Sequence, residues 1–308
     1  MPPEALETST DSAVLPRRLR QTLEGILGKR VVRATPIGGG YTPARRLRIA
    51  LEDGNRVFVK AATTDHTARW LRIEARVYDA LAGSAFLAER LAWHDDSDEP
   101  FLVLEDLSES HWPPPWNPGQ VESTLAALAS VRESRHRIPF ALERIEDDRA
   151  NFASWHRVAT EPSPFLSLGL CSRAWLEAAL PPLIAAEAVA PLAGEDLLHL
   201  DVRSDNVCFR PGSGEAVLVD WNWVCIGNRD LDIAGWLSSL HSETGILPET
   251  LLPGGGGFAA LLSGFWAYRA GTPPPPGAPR VREVQKRQLQ SALPWAVRAL
   301  DLPPLRGR

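Results

Sequence analysis

Between residues 31 and 105 the chain carries five short β-type runs interrupted by one helical stretch, and that order leaves few folds open. Val31 to Ile37 is the first run and Arg46 to Leu51 the second, where charged and apolar residues alternate as in a half-buried strand. Asp53-Gly54 is a hairpin turn signal, and Arg56 to Ala61 is the return strand. From Thr67 to Leu81 the residues Trp70, Leu71, Glu74, Val77, Tyr78 and Leu81 recur at helical spacing. Ala88 to Trp93 and Phe101 to Glu105 complete the series. The order β-β-β-α-β-β predicts an antiparallel sheet with one helix packed on it.

After Leu107 the texture changes. Pro113 to Pro115, between Trp112 and Trp116, forms a stiff connection. Helices are expected over Val121 to Val131, over Trp175 to Ala190 with an interruption near Pro181-Pro182, and over about Val281 to Leu300. Phe258 to Tyr268 reads as a core helix. Leu197 to Leu200, Val207 to Phe209 and Ala216 to Val219 are short buried runs around polar loops. A short amphipathic helix from Leu19 to Leu27 precedes the first strand and stops near Gly28. The expected division is a loose leader (1–15), a small β-rich lobe (16–105) and a larger helical lobe (109–308).

Composition narrows the function. With 44% hydrophobic and 23% charged residues the chain is ordinary globular material. A net charge of -5 disfavours a nucleic-acid partner. Cys171, Cys208 and Cys225 are too few and too scattered for a disulfide framework or a zinc pattern, so a reducing cytoplasm is expected. The first dozen residues lack the basic and apolar segments of a signal peptide, and no apolar run reaches membrane-spanning length.

The strongest chemical signal is His199-Leu200-Asp201-Val202-Arg203-Ser204-Asp205-Asn206, with Asp220 at the end of a later apolar strand. Phosphoryl transfer from a nucleotide needs a carboxylate to orient the attacking hydroxyl and accept its proton, and oxygen ligands for magnesium. Asp201 fits the first task, Asn206 and Asp220 the second. Arg203, two residues after Asp201, is placed either to meet the γ-phosphate as a cation or to be a solvated loop arginine. The second signal is Lys60, which ends Val57-Phe58-Val59-Lys60, with Glu74 in the helix that follows. Only Lys29, Lys60 and Lys286 are lysines among 33 basic residues, so a retained lysine suggests a task unsuited to arginine. The third signal is Gly38-Gly39-Gly40-Tyr41-Thr42, ahead of the lysine strand, where exposed N–H groups can cradle phosphates.

Taken in order, these elements resemble the aminoglycoside phosphotransferase family, relatives of the protein and choline kinases, over about residues 30 to 270. The resemblance implies a bilobal, protein-kinase-like α+β fold with a hinge at 106–108. It implies Asp201 as catalytic base, Asn206 and Asp220 as Mg²⁺ ligands, and Lys60, fixed by Glu74, as the contact to the α and β phosphates. The backbone over Leu104 to Leu107, with Glu105 and Leu107, would hold the adenine of ATP, or the guanine of GTP. His199 and Asp232 would support the catalytic loop. Asn228-Arg229 replaces the family's usual Asp-Pro ahead of Asp230.

Asp220-Trp221-Asn222 departs from the Asp-Phe-Gly of protein kinases, and no Ala-Pro-Glu element is evident, which argues for a small-molecule acceptor. Trp112, Trp116, Trp221 and Trp223 are the tryptophans closest in sequence to the hinge and the metal loop, and are acceptor-pocket candidates. Glu143, Glu146, Asp147 and Asp148 form an acidic run suited to a cationic acceptor or to a solvated helix face. The expected activity is therefore an ATP- and Mg²⁺-dependent kinase of a small-molecule hydroxyl, on an aminoglycoside-like or other antibiotic, with the oligomeric state open and a monomer favoured. A metabolite kinase is the alternative. A regulatory pseudokinase would call for loss of Asp201, Asn206, Asp220 or Lys60, and all four are present.

Overall fold

The structure is a computed structural model and describes residues 14–38, 40, 43–95 and 99–305. Helix α1 (Arg17–Leu27) ends at Gly28, which takes a φ of 64° that favours glycine. The five strands β1 (Val31–Pro36), β2 (Arg45–Leu51), β3 (Arg56–Ala61), β4 (Arg90–His94) and β5 (Phe101–Glu105) form one antiparallel sheet in the order β1-β2-β3-β5-β4. Helix α2 (Asp65–Ala80) sits between β3 and β4 in the chain. Thr64 caps it reciprocally with Thr67.

The period-2 pattern of β2 and β3 assigns the two faces of this sheet. Leu47, Ile49, Val57 and Val59 turn to one side and are buried with Leu15, Leu19 and Leu23. Leu15, the last residue of the expected leader, is thus part of a core; the leader up to residue 13 lies outside the described residues. Arg46, Arg48, Phe58 and Lys60 turn to the other side, towards the rest of the molecule.

Beyond β5 come α3 (Pro118–Glu133), α4 (Trp155–Thr160), α5 (Arg173–Ala188), the short pairs β6 (Asp196–Leu198) with β9 (Cys225–Gly227) and β7 (Val207–Phe209) with β8 (Ala216–Leu218), then α6 (Asp230–Thr244), α7 (Gly256–Ala270) and α8 (Val281–Ala299). Helix α7 is the centre of this part. It packs against α4, α5, α6 and α8, so apolar residues occur all round it. Gly264 lets α4 and α5 approach, since a Cβ there would lie 2.6 Å from Glu187 Oε2 and 2.7 Å from Trp155 Cδ1.

The expected break at Pro181-Pro182 does not occur: α5 runs through both prolines. Trp175, Leu176, Ala179, Leu183 and Glu187 are buried on one side of it, and this packing outweighs the backbone bonds that the prolines remove. The architecture is the bilobal α+β one that the resemblance implies. Among the described residues no helix is long and apolar enough to cross a membrane.

Candidate active site

The loop from His199 to Asn206 joins β6 to β7 and is tied to α6 by two carboxylates, Asp232 at its start and Glu243 through Ser204. Asp232, in the first turn of α6, accepts the His199 N–H through Oδ2 at 2.8 Å and the Leu200 N–H through Oδ1 at 2.7 Å. Leu200 has a φ of 65°, a left-handed conformation that costs a non-glycine residue about 1–2 kcal/mol. The clamp therefore holds strained backbone. His199 is fully buried: its Nε2 lies 3.0 Å from the Val219 carbonyl, and the Asp201 N–H donates to Nδ1 at 3.3 Å. Those partners fit the neutral ring with its proton on Nε2, and burial pushes its pKa down to about 4.

The loop presents Asp201, and Asn206 fixes it. The Asn206 Nδ2 donates to the Asp201 carbonyl at 2.8 Å and to Oδ2 at 3.0 Å. Arg203 Nη2 lies 3.3 Å from the same Oδ2, and Arg203 also pairs with Asp205. Burial pushes the Asp201 carboxyl up to about 7, against the pull of Arg203.

Asp220 follows β8 at a φ of 69°. Although 160 residues apart in sequence, Lys60 Nζ reaches Asp220 Oδ1 at 2.7 Å, and it reaches Glu74 Oε2 at 2.6 Å. Burial disfavours the Lys60 ammonium, but Asp220 and Glu74 outweigh it and raise the pKa, so the lysine is charged.

A cleft of about 480 Å³ separates the sheet from the catalytic loop. Ile37, Phe58, Leu104 and Val219 give it apolar walls, while Lys60, Glu74, Asn206 and Asp220 make one end polar. Of the sequence candidates, Gly38, Gly40, Lys60, Glu74, Glu105, Leu107, Trp112, Asn206 and Asp220 line this cleft. Gly39, Tyr41 and Thr42 lie outside the described residues. The Glu105 side chain accepts from Arg210 at 2.5 and 2.9 Å, tying β5 to the residue after β7. The Leu107 carbonyl accepts from the Ser110 N–H at 3.1 Å and from the Trp112 indole at 3.0 Å.

Three acceptor-pocket tryptophans do not line the cleft. Trp221 is fully buried between Phe86 and His199 and donates to the Leu218 carbonyl, so it belongs to the core beneath the catalytic loop. Trp116 packs on Phe209 and Trp236, with its indole N–H on Glu243 at 2.6 Å. Trp223 is half exposed and leans on Trp70 of α2, ring centroids 5.2 Å apart. The acidic run is neither on a regular helix nor among the cleft residues. Arg144 pairs with Glu146 and Glu195, and the segment bridges to β9 at Ile226.

Sequence reasoning missed four residues. Arg46 and Arg48 line the cleft from β2, and their alternation with Leu47 and Ile49 already put them on one face. Glu243 accepts the Ser204 hydroxyl at 2.6 Å as well as Trp116, joining α6 to the catalytic loop. Nothing in the spacing of Glu243 or Arg210 signals their partners.

Residues 33–296 match the model of the phosphotransferase enzyme family. The chain belongs to that family. As a phosphotransferase it is similar in fold to an aminoglycoside phosphotransferase, APH(4)-Ia, in ternary complex with AMP-PNP and hygromycin B. That match has 12% identity and a TM-score of 0.56, and covers 92% of this chain and 98% of the other. An aminoglycoside phosphotransferase from Alicyclobacillus acidocaldarius matches at 14% identity and a TM-score of 0.54, over 88% of this phosphotransferase and 91% of its own length. An ethanolamine kinase from Plasmodium vivax matches at 11% identity and a TM-score of 0.50, over 88% and 82%. None of the curated protein sequences gives a significant match.

Proposed function

We propose that this phosphotransferase moves the γ-phosphoryl group of ATP to a hydroxyl of a small molecule, with aminoglycoside-like antibiotics as the first acceptor class and amino alcohols and sugars as the second. One observation carries the reading. Lys60, Glu74, Asn206 and Asp220, contributed by four separate elements, meet at the polar end of a single cleft, with Asp201 held against Asn206.

The roles follow from the contacts. The apolar walls suit a purine ring, and the polar end suits its phosphates. Lys60 places a positive charge beside those phosphates and is oriented by the buried Glu74. Asn206 uses its amide nitrogen to hold Asp201, which leaves its amide oxygen as the atom suited to a cation. With the Asp220 carboxylate it makes a pair of hard oxygen donors, the chemistry that Mg²⁺ prefers. Bound there, Mg²⁺ would neutralise phosphate charge. Asp201 orients the acceptor hydroxyl and takes its proton, and Arg203 offers a cation at the side of the loop where phosphoryl charge develops. Little covalent chemistry is asked of the protein; the rate comes from positioning and charge.

The test is purified protein with Mg-ATP and a panel of aminoglycosides, macrolides, amino alcohols and sugars, read by mass spectrometry for phosphorylated product. At least one acceptor should gain a phosphate, and Asp201→Asn should abolish the gain. A panel wholly without product, with no nucleotide binding, refutes the proposal.

A further inference from the structure

We propose that Arg46 is a second phosphate-binding cation of the cleft, set beside Gly40 and opposite Lys60. The inference rests on the nucleotide reading above and adds a residue to it. Arg46 pairs directly with Lys60 across the β2–β3 ladder, so both side chains leave the same face of the sheet. Both line the cleft.

The position of the guanidinium is specific. Gly40 has a φ of 68°, and a Cβ placed on it would lie 2.5 Å from Arg46 Cζ, so the guanidinium lies directly against Gly40. Its Nη1 donates to the Ala44 carbonyl at 3.2 Å. Arg46 thus stands beside Gly40 and opposite Lys60 on the cleft side of the sheet. A guanidinium presents a planar fork of donors matched to two phosphate oxygens, whereas the Lys60 ammonium is a point charge. The two cations are therefore complementary: Lys60 is fixed by Glu74 and Asp220, and Arg46 offers its fork from the side of Gly40.

The test compares Arg46→Gln and Arg46→Lys with the parent protein, measuring binding of Mg-ATP and of adenosine by calorimetry. Losing charge-assisted bonds to phosphate should weaken Mg-ATP binding about 10- to 100-fold in Arg46→Gln, with Arg46→Lys in between. Adenosine, which has no phosphate, should bind all three proteins alike, and that equality also shows that the cleft is intact. Mg-ATP binding unchanged in Arg46→Gln overturns the inference. Equal weakening of Mg-ATP and adenosine also overturns it, because Arg46 would then shape the cleft rather than bind phosphate. Failure of the parent protein to bind Mg-ATP overturns the nucleotide reading itself, and the inference falls with it.

Discussion

Asp232→Ala removes the carboxylate that clamps the strained Leu200 end of the loop. The carboxylate accepts two backbone N–H groups, at 2.8 and 2.7 Å, and is itself buried. Each buried donor left without an acceptor costs about 1–3 kcal/mol, so the pair costs ~2–6 kcal/mol if the loop stays in place. Once unclamped, Leu200 can leave its left-handed conformation and recover about 1–2 kcal/mol. The net loss of stability is therefore expected at ~1–4 kcal/mol, measured by urea denaturation. Relaxation would also displace Asp201, the next residue in the loop, and a misplacement of about 1 Å can cost on the order of 100-fold in rate. Nucleotide binding should change little, because Lys60 and the apolar walls are untouched. Leu200→Gly supplies the control, since it removes the strain at the source. In that background Asp232→Ala should disturb turnover less, and the two changes should be non-additive. If Asp232→Ala kept full turnover and full stability, the clamp would have no role in setting the loop.

Three further outcomes follow from the site and the core. Lys60→Arg should lose most turnover while the fold survives, because a planar guanidinium cannot take the compact position 2.6 Å from Glu74 and 2.7 Å from Asp220; unchanged kinetics and nucleotide affinity would refute this. As a base Asp201 must be ionised, and its carboxyl is pushed up to about 7, so kcat/KM should climb with pH through about 7 and level off above it. Arg203 lowers that pKa, so Arg203→Gln should move the limb to higher pH, whereas a limb near the ordinary Asp value of about 3.9 in the parent protein would contradict the assignment. Glu187→Ala should destabilise the fold by ~2–6 kcal/mol in thermal or urea melts without altering nucleotide affinity, since it leaves the Ser154 and Trp155 N–H groups buried without their acceptor.

How much of this was legible in the sequence depends on whether a residue's task is local. Strand β2 and helix α2 were readable because burial there follows a period of 2 or 3.6 in consecutive residues, and β3 and β5 because they are short apolar runs, β3 following a hairpin turn signal. Asp201 and Asn206 were readable because both sit on one loop, where spacing fixes geometry. Lys60, Glu74 and Asp220 are far apart in the chain and were linked only through the family resemblance; no local pattern brings them together. Trp221 shows the reverse failure. Beside a candidate metal ligand it looked like a pocket residue, yet the direction of its side chain is set by β8 and by the space between Phe86 and His199. The helix through Pro181-Pro182 fails for the same reason, since a local rule yields to burial that only the assembled fold supplies.

The ion pairs explain why these distant residues act as one site. Lys60 belongs to the sheet and Asp220 to the helical part, so their pair crosses the cleft at its polar end. Glu105, at the end of β5, and Arg210, after β7, make a second crossing. The Lys60–Asp220 pair is largely buried and desolvated, and such a pair persists only while both partners are present. Removing Asp220 leaves Lys60 to Glu74 alone, and removing Lys60 leaves two carboxylates, Asp220 and Glu74, without their shared cation. Asp220→Ala should therefore perturb Lys60 as well as the metal position, and Lys60→Ala should perturb Asp220, so the double variant should lose less stability than the sum of the singles. Additive losses would mean that the two residues serve the cleft independently, and the closeness of their charges would then be incidental to how the two parts of the molecule are held.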